Sequence, residues 1–177
     1  MSIPLASALQ DGGRASIPAS FEMRFSPSDH LISIVRRFVL SFYGSLLADD
    51  ELSSQLALAT HELLDNAVKY GSTPTAELAV SITRDDEEAL RIVVAIRNQA
   101  GREHISEAGR MIAAIQEAAS IFDFYQELLH LAAVREHGSG LGLARIAAET
   151  NLGLTSRVDG DTIEIRAETR IPSTRSP

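Results

Sequence analysis

Apolar residues recur at strand or helix spacing along most of the chain, and this pattern predicts its elements. Residues 21–25 alternate apolar and polar side chains, as a half-buried strand does. Residues 29–47 carry apolar side chains three and four positions apart, which predicts an amphipathic helix. A second helix is predicted from Asp49-Asp50, whose charges favour a helix N-terminus, to Gly71. The predicted inward positions are Leu31, Ile34, Val35, Phe38, Val39 and Phe42 in the first helix and Leu52, Leu56, Leu63, Leu64 and Ala67 in the second.

The middle of the chain has strand periodicity followed by helical periodicity. Residues 76–84 and 89–97 predict two strands joined by the acidic turn 85–88. Residues 104–134 have helical spacing, and we expect a bend or break because so long a helix is rare in a small domain. Its apolar stripe is predicted to pack as core or lid, with a partner or dimer interface as the alternative. The stripe includes Ile105, Ala108, Ile112, Ile115, Ala119, Phe122 and Leu129.

The last third of the chain predicts a helix and a hairpin. Residues 141–150 form the helix, and residues 153–158 and 162–168 pair across Asp159-Gly160, a strong hairpin-turn dipeptide. The predicted order is therefore β-α-α-β-β-α-α-β-β. This order predicts an α+β fold, a two-layer sandwich with helices on one face of a mostly antiparallel mixed sheet.

Composition limits the function classes. The chain has 177 residues, which suits one domain, predicted at 21–170 between a mobile tail at 1–20 and a short tail at 171–177. A net charge of −8 argues against nucleic acid and against anionic membrane surfaces. The absence of cysteine excludes disulfides and thiolate metal sites. The start does not have the pattern of a secretory signal, and no apolar run suggests a membrane span, so a cytoplasmic protein is expected.

The first candidate site is the C-terminal half of the second helix. Glu62 and Asn66 are four residues apart and share one helix face, so they can act on one ligand. Lys69 adds a cation at the same edge. An acid, an amide oxygen suited to a hard cation and a positive charge together suit a Mg-nucleotide. The alternative is an ordinary solvated helix face.

The second candidate site is the glycine cluster at Gly138, Gly140 and Gly142, which leads directly into a helix. Glycine lets a backbone approach phosphate closely, and the free N–H groups of a helix start attract anions. A helical stretch precedes the cluster where a dinucleotide-binding motif requires a strand, and no Walker Gly-Lys-Ser/Thr is present. A flexible turn is the alternative interpretation.

Together the two motifs resemble those of a known superfamily. The helix ending Glu62-Leu63-Leu64-Asp65-Asn66-Ala67-Val68-Lys69-Tyr70 resembles the N-box of the GHKL ATPases, and Gly138-Ser139-Gly140-Leu141-Gly142 resembles their second glycine box. The segment 25–39 is similar to the opening of the small bacterial serine/threonine kinases that act as anti-sigma factors. The resemblance spans about 21–168 and implies the Bergerat, or histidine-kinase-like ATPase, fold.

The resemblance implies roles for these residues. Asn66 would coordinate Mg²⁺ that bridges the ATP phosphates, and Lys69 would contact a phosphate oxygen. Glu62 would act as the general base for a Ser or Thr hydroxyl on a protein substrate. The implied function is a regulatory kinase in a partner-switching system, with an antagonist-type substrate and a sigma factor or other effector as partners; a homodimer stays open. The glycine-box residues Gly138, Ser139, Gly140, Leu141 and Gly142 would surround the phosphates.

The chain departs from the family pattern at the first glycine box. Where the family has Asp-x-Gly-x-Gly, this chain has Arg97-Asn98-Gln99-Ala100-Gly101. Face alternation along the preceding strand points Asn98 to the place of the adenine-reading Asp. An Asn oxygen can accept from the adenine amino group but without charge assistance. A nucleotide-gated binding module without turnover, and a stand-alone histidine-kinase-like ATPase domain, are therefore alternatives to the kinase.

Overall fold

The computed structural model describes residues 19–26, 28–47, 49–85, 89–134 and 141–172. Five strands and five helices lie within these ranges. In chain order they are β1 (Ala19–Phe25), α1 (Asp29–Leu47), α2 (Asp50–Tyr70), β2 (Gly71–Arg84), β3 (Leu90–Ala100), α3 (Arg102–Glu117), α4 (Ile121–Val134), α5 (Leu141–Glu149), β4 (Gly153–Asp159) and β5 (Thr162–Ile171).

The strands form one sheet in the order β1-β2-β3-β5-β4, and each pairing between them is antiparallel. Alternate side chains of β2, β3 and β5 are buried against the helices, while the residues between them carry the charged groups of the other face. The predicted α+β two-layer sandwich is confirmed. The buried strand residues are Ala76, Leu78, Val80, Ile82, Ile92, Val94, Ile96, Ile163, Ile165 and Ala167.

The end of α2 passes directly into β2 at Gly71. This glycine has φ −64° and ψ 130°, so it is extended and does not use the left-handed conformation of a usual glycine cap. Its N–H bonds to the carbonyl of Ala67, and a Cβ on Gly71 would lie 2.5 Å from the same oxygen. Glycine is needed here because the strand leaves the helix too closely for any side chain.

The inward face of α1 is rotated relative to the prediction. Val35 and Val39 are buried as expected, but Ile34 and Phe38 are exposed, at 43% and 53%. Phe38 instead contacts Phe21 of β1, with ring centroids 5.1 Å apart. The prediction for Ile34 and Phe38 is wrong because α1 lies over the edge strand β1, where part of its apolar stripe reaches solvent.

By length and composition alone, one described helix is apolar enough to cross a membrane, namely His30–Leu47 within α1. The apolar runs of the sequence did not suggest this. A core helix carries the same signature, and four side chains of this segment, Ile32, Val35, Val39 and Tyr43, are buried in the core. Ile34, Phe38 and Leu40 of the same segment are exposed.

The predicted break in the long helical stretch is confirmed. It falls at 118–120, so α3 and α4 are separate and the described chain has one more helix than the predicted order. The Ser120 hydroxyl accepts from the Asp123 N–H and caps the start of α4. In α3, Ile112 is buried, and Ile105, Ala108 and Ile115 pack on the core. Ala119, Phe122 and Leu129 are exposed, so the apolar stripe beyond α3 is not core.

The C-terminal hairpin is also confirmed. Asp159 and Thr162 pair across the turn, and Gly160 has φ 63°, a conformation that L side chains rarely adopt. The two strands close the sheet beside β3 and bring Ile163 and Ile165 to its inner face, next to Asn98 and Ile96 in register.

Candidate functional site

A cleft opens between the helices and the inner face of the sheet, at the C-terminal end of α2. It encloses about 540 Å³ not occupied by protein atoms, part of which is open to solvent. The lining is mostly apolar with a few polar groups, as is usual in small-molecule sites. Residues from α2, β3, α3, α5 and β5 line it: Asn66, Tyr70, Ile96, Asn98, Ala100, His104, Glu107, Ala108, Met111, Leu143, Ile163 and Ile165.

Two of the predicted site residues, Asn66 and Asn98, lie in this one cleft although they belong to different elements. Asn98 follows Val94 and Ile96 on the inner face of β3, as the strand alternation predicted, and it is 9% exposed. Its side-chain nitrogen donates to the carbonyl of Gln99, at 3.0 Å. Since the nitrogen is held by the backbone, the carboxamide oxygen is the atom suited to accept from a ligand.

Glu62 is buried one turn before Asn66 on α2, at 8% exposure. Arg145 of α5 donates from Nη1 to Glu62 Oε1 across 3.0 Å, and this ion pair compensates the burial of the carboxylate. Arg145 therefore forms a salt bridge within the protein. Glu62 was predicted from its own helix alone, and its partner on α5 was not identified.

Gly142 brings the start of α5 against the same carboxylate. A Cβ at this position would lie 2.7 Å from Glu62 Oε2 and 3.7 Å from Asn66 Oδ1. No side chain fits without moving Glu62, because that distance is well inside van der Waals contact. A side chain at 142 would therefore have to displace the Glu62 carboxylate or move the start of α5.

The Arg145 guanidinium joins two carboxylates. Besides Glu62, it donates from Nε to Oε1 of Glu149, one turn later on α5, at 3.1 Å. The hydrogen bond to Glu149 is the main cause that raises the pKa of Arg145 above its ordinary value. Tyr125 of α4 lies beside this cluster; burial raises its pKa, and the charge of Glu149 adds to the effect. The cluster connects α2, α5 and α4.

Lys69 lies on the same helix but is paired. Its ammonium forms an ion pair with Asp65 at 2.5 Å, and the Lys69 side chain is 58% exposed. The hydrogen bond to Asp65 is the main cause that raises the pKa of Lys69. The i,i+4 spacing on α2 brings Asp65 to Lys69. The phosphate contact of Lys69 stays a prediction.

The described residues include only the last part of the glycine motif. Gly138, Ser139 and Gly140 lie outside them, as does His137, so their predicted places around a phosphate stay predictions. Leu141 and Gly142 begin α5, which confirms that the glycine run leads directly into a helix. The cleft and the start of α5 thus meet at Asn66.

Sequence reasoning missed the rings at the mouth of the cleft. Tyr70 ends α2 four residues after Asn66, and its ring lies 4.9 Å from that of His104 in α3. Burial raises the pKa of Tyr70. The i+4 spacing from Asn66 could have identified Tyr70, whereas no local signal in the sequence places His104 beside it.

The cleft combines a mostly apolar lining with the carboxamides of Asn66 and Asn98 and the carboxylate of Glu107. Ile96, Met111 and Ile165 contribute apolar surface to the cleft, and Asn98 contributes a carboxamide. Asn66 lies beside the start of α5, where the charge of Arg145 is shared by the carboxylates of Glu62 and Glu149.

No protein-family model matches the chain, and no curated protein sequence matches it. Among solved structures, the fold is similar to that of one chain in the crystal structure of the SiaB–SiaC complex from Pseudomonas aeruginosa. The TM-score is 0.68, the sequences are 20% identical, and the match covers 84% of this chain and 88% of that one. The protein therefore shares its fold, over most of its length, with a chain of a two-protein complex.

Proposed function

We propose that this protein is a Mg-ATP-dependent regulatory serine/threonine kinase of a bacterial partner-switching system. It would bind an effector such as a sigma factor and phosphorylate a small antagonist protein. The observation that carries the proposal is the meeting of Asn66 and Asn98 in one cleft, with Glu62 one turn away on the same face of α2. The fold similarity to a chain that forms a complex with another protein supports the regulatory part.

The donor chemistry near Asn66 suits Mg²⁺. Within the described ranges, no group of three His, Asp or Glu side chains could hold a metal by itself. Mg²⁺ needs no such cage, since it is usually bound by one or two protein oxygens together with phosphates and water. Asn66 would be the protein ligand, and the ion would neutralise charge on the phosphates. A nucleotide that brings its own phosphate oxygens is therefore the ligand that this site suits.

In the proposed reaction, the oxygen of a Ser or Thr hydroxyl attacks the terminal phosphorus of ATP. The bond to the ADP oxygen breaks, and the hydroxyl proton passes to a carboxylate oxygen of Glu62. The amides at the start of α5 and the Lys69 ammonium would stabilise negative charge on the transferred group. The Asn98 oxygen would accept from the amino group of adenine.

Nucleotide binding is the first test. Calorimetry of the wild type with ATP and ADP in the presence of Mg²⁺ should detect binding, and Asn66→Ala should weaken ATP binding at least tenfold. The matched control is Asn151→Ala, which removes an exposed asparagine after α5 and should leave binding unchanged. If the wild type binds neither nucleotide, the proposed function is wrong.

Phosphoryl transfer is the second test. The wild type with labelled ATP should phosphorylate Ser or Thr on its antagonist-type partner protein. Glu62→Gln should bind ATP but transfer no phosphate, because the amide cannot take up the hydroxyl proton. If the wild type binds ATP but transfers no phosphate, the kinase function is wrong and the nucleotide-binding site is supported.

The second candidate is a nucleotide-gated binding module that does not turn over ATP. Two observations favour it: Asn98 replaces the charged Asp of the family pattern, and Glu62 is already paired with Arg145. Under this alternative, ATP changes the affinity for the partner protein, and Glu62→Gln leaves that change intact. A stand-alone histidine-kinase-like ATPase domain is the third candidate, and acid-labile phosphate on a partner protein would identify it.

A further inference from the structure

We propose that Arg145 is a positioning residue that holds Glu62 closed in the free protein and moves to the terminal phosphate when ATP binds. The inference rests on the proposed function and adds a step that the kinase motifs do not contain. Glu62 would become available to a substrate hydroxyl only after the nucleotide has taken its partner. Nucleotide binding would therefore come first and would make Glu62 available as the general base.

Both oxygens of Glu62 are covered in the present structure. Oε1 accepts from Arg145 Nη1 at 3.0 Å, and Oε2 faces the backbone of α5 at Gly142. The residue is only 8% exposed. A general base must come within hydrogen-bond distance of the proton that it removes, and this arrangement leaves Glu62 little room to do so. The structure therefore describes a closed base.

Arg145 can leave Glu62 without losing all of its partners. Its Nε donates to Glu149 at 3.1 Å, so the guanidinium keeps one carboxylate while its Nη1 end is released. The arginine side chain is 41% exposed, whereas that of Glu62 is 11% exposed. The mobile member of the pair is thus the arginine, which lies on the solvent side. Glu149 would hold its other end during the exchange.

The competing anion would come from the nucleotide. Asn66, the proposed Mg²⁺ ligand, is one helical turn from Glu62, and both side chains face the backbone at Gly142. A phosphate that reached Asn66 would lie close to the Nη1 end of Arg145. Arginine binds phosphate with planar, bidentate hydrogen bonds, and a doubly charged group competes well with one carboxylate.

The same cluster extends to α4. Tyr125 lies beside Glu149 and Arg145, with Glu62 also contributing to its electrostatic environment. A movement of Arg145 would therefore be felt at Tyr125, and Phe122 of the same helix is 61% exposed. Helix α4 is the part of the described structure through which occupancy of the site would reach the surface.

The test compares ATP with ADP, because only ATP has the terminal phosphate. In calorimetry with Mg²⁺, Arg145→Gln should lower the ratio of ATP to ADP affinity about tenfold, and Arg145→Lys should restore part of it. The control is Arg91→Gln, which removes the same charge from an exposed pair with Glu168 on the sheet. The control should leave the ratio unchanged.

A second readout follows the arginine directly in the wild type and does not depend on the stability of any variant. The ¹⁵N guanidinium resonance of Arg145, assigned by its loss in Arg145→Lys, should shift with a non-hydrolysable ATP analogue and stay in place with ADP. An unchanged resonance, or an equal loss of ATP and ADP affinity in Arg145→Gln, overturns the exchange while leaving nucleotide binding intact. If the wild type binds no nucleotide, the exchange and the proposed function fail together.

Discussion

The contact between Gly142 and Glu62 can be tested by adding a single methyl group. In Gly142→Ala, the new Cβ would lie 2.7 Å from Glu62 Oε2. An exposed carboxylate would rotate away at little cost. Glu62 cannot do so easily, because its side chain is only 11% exposed and its other oxygen is held by Arg145 at 3.0 Å. The methyl group must therefore strain the start of α5 or displace the carboxylate.

The expected loss of stability combines two opposite effects. Replacing a helical glycine by alanine stabilises a helix by about 0.5–1 kcal/mol. Inserting a methyl group into a packed site costs about 1–3 kcal/mol. We therefore expect Gly142→Ala to lower the free energy of unfolding by about 1 kcal/mol, where an unobstructed helical glycine would raise it.

Two other helical glycines provide matched controls. A Cβ on Gly44 of α1 or Gly109 of α3 would meet nothing within 4 Å. In urea denaturation at 25 °C, the free energy of unfolding should therefore be higher than that of the wild type for Gly44→Ala and Gly109→Ala. It should be lower for Gly142→Ala. The separation should be about 2 kcal/mol, which is the cost of the clash alone, because the gain in helix propensity is common to all three variants.

A double-mutant cycle assigns the cost to Glu62. In a Glu62→Ala background the carboxylate is absent, so Gly142→Ala should behave like the two controls, with a coupling of about 2 kcal/mol. If the effects of Glu62→Ala and Gly142→Ala on the free energy of unfolding are additive, the strain does not come from the contact between these two residues. If Gly142→Ala alone is as stabilising as Gly109→Ala, the close approach of α5 to Glu62 is wrong, and with it the description of a closed base.

Two further predictions concern tyrosine burial and the Lys69 pair. Tyr43 is fully buried, and its hydroxyl has no hydrogen-bond partner among the described residues, so Tyr43→Phe should stabilise the protein by about 1 kcal/mol in urea denaturation. Burial raises the pKa of Tyr43, so the free energy of unfolding of the wild type should fall as the pH rises above about 10. Tyr43→Phe should lose less stability over the same pH range. A variant less stable than the wild type at neutral pH would contradict the expected stabilisation. Asp65→Asn should change the free energy of unfolding by less than about 1 kcal/mol, because the Lys69 ammonium is 58% exposed, and should lower the raised pKa of Lys69 in an NMR titration. An unchanged pKa would show that Asp65 is not its cause.

The elements of this fold were predictable because their signals are local. Asp49 accepts from the Leu52 N–H at 2.9 Å and begins α2 where the acidic pair indicated. Asn98 was placed on the inner face of β3 by the period of two alone, and the cleft contains it. Spacing along one helix likewise put Glu62 and Asn66 on one face. These predictions needed no knowledge of the tertiary contacts.

The predictions that failed depend on how the elements pack. Helical spacing identified the apolar stripe of α1, but only the position of α1 over the edge strand decides that Phe38 is 53% exposed. The end of α2 at Gly71 was predicted correctly, but only the packing shows that a Cβ there would meet the carbonyl oxygen of Ala67. The partner of Glu62 is Arg145, 83 residues away, and no pattern within one element could identify it.

The pairing of Glu62 decides how the candidate functions are to be weighed. A buried carboxylate needs a partner to remain charged, so a protein that keeps Glu62 inside must supply a cation. A permanent cation would suit a binding module, because the acid would then serve the fold and never receive a proton from a substrate. A cation that can move would suit a kinase. Arg145 has the properties of the second kind, since it is 41% exposed and has Glu149 as a second carboxylate. Removing the charge of Glu149 tests the two cases. In a kinase, Glu149→Gln should slow phosphoryl transfer, because Arg145 would be held more firmly on Glu62. In a binding module, Glu149→Gln should leave the nucleotide affinity within about threefold of the wild type.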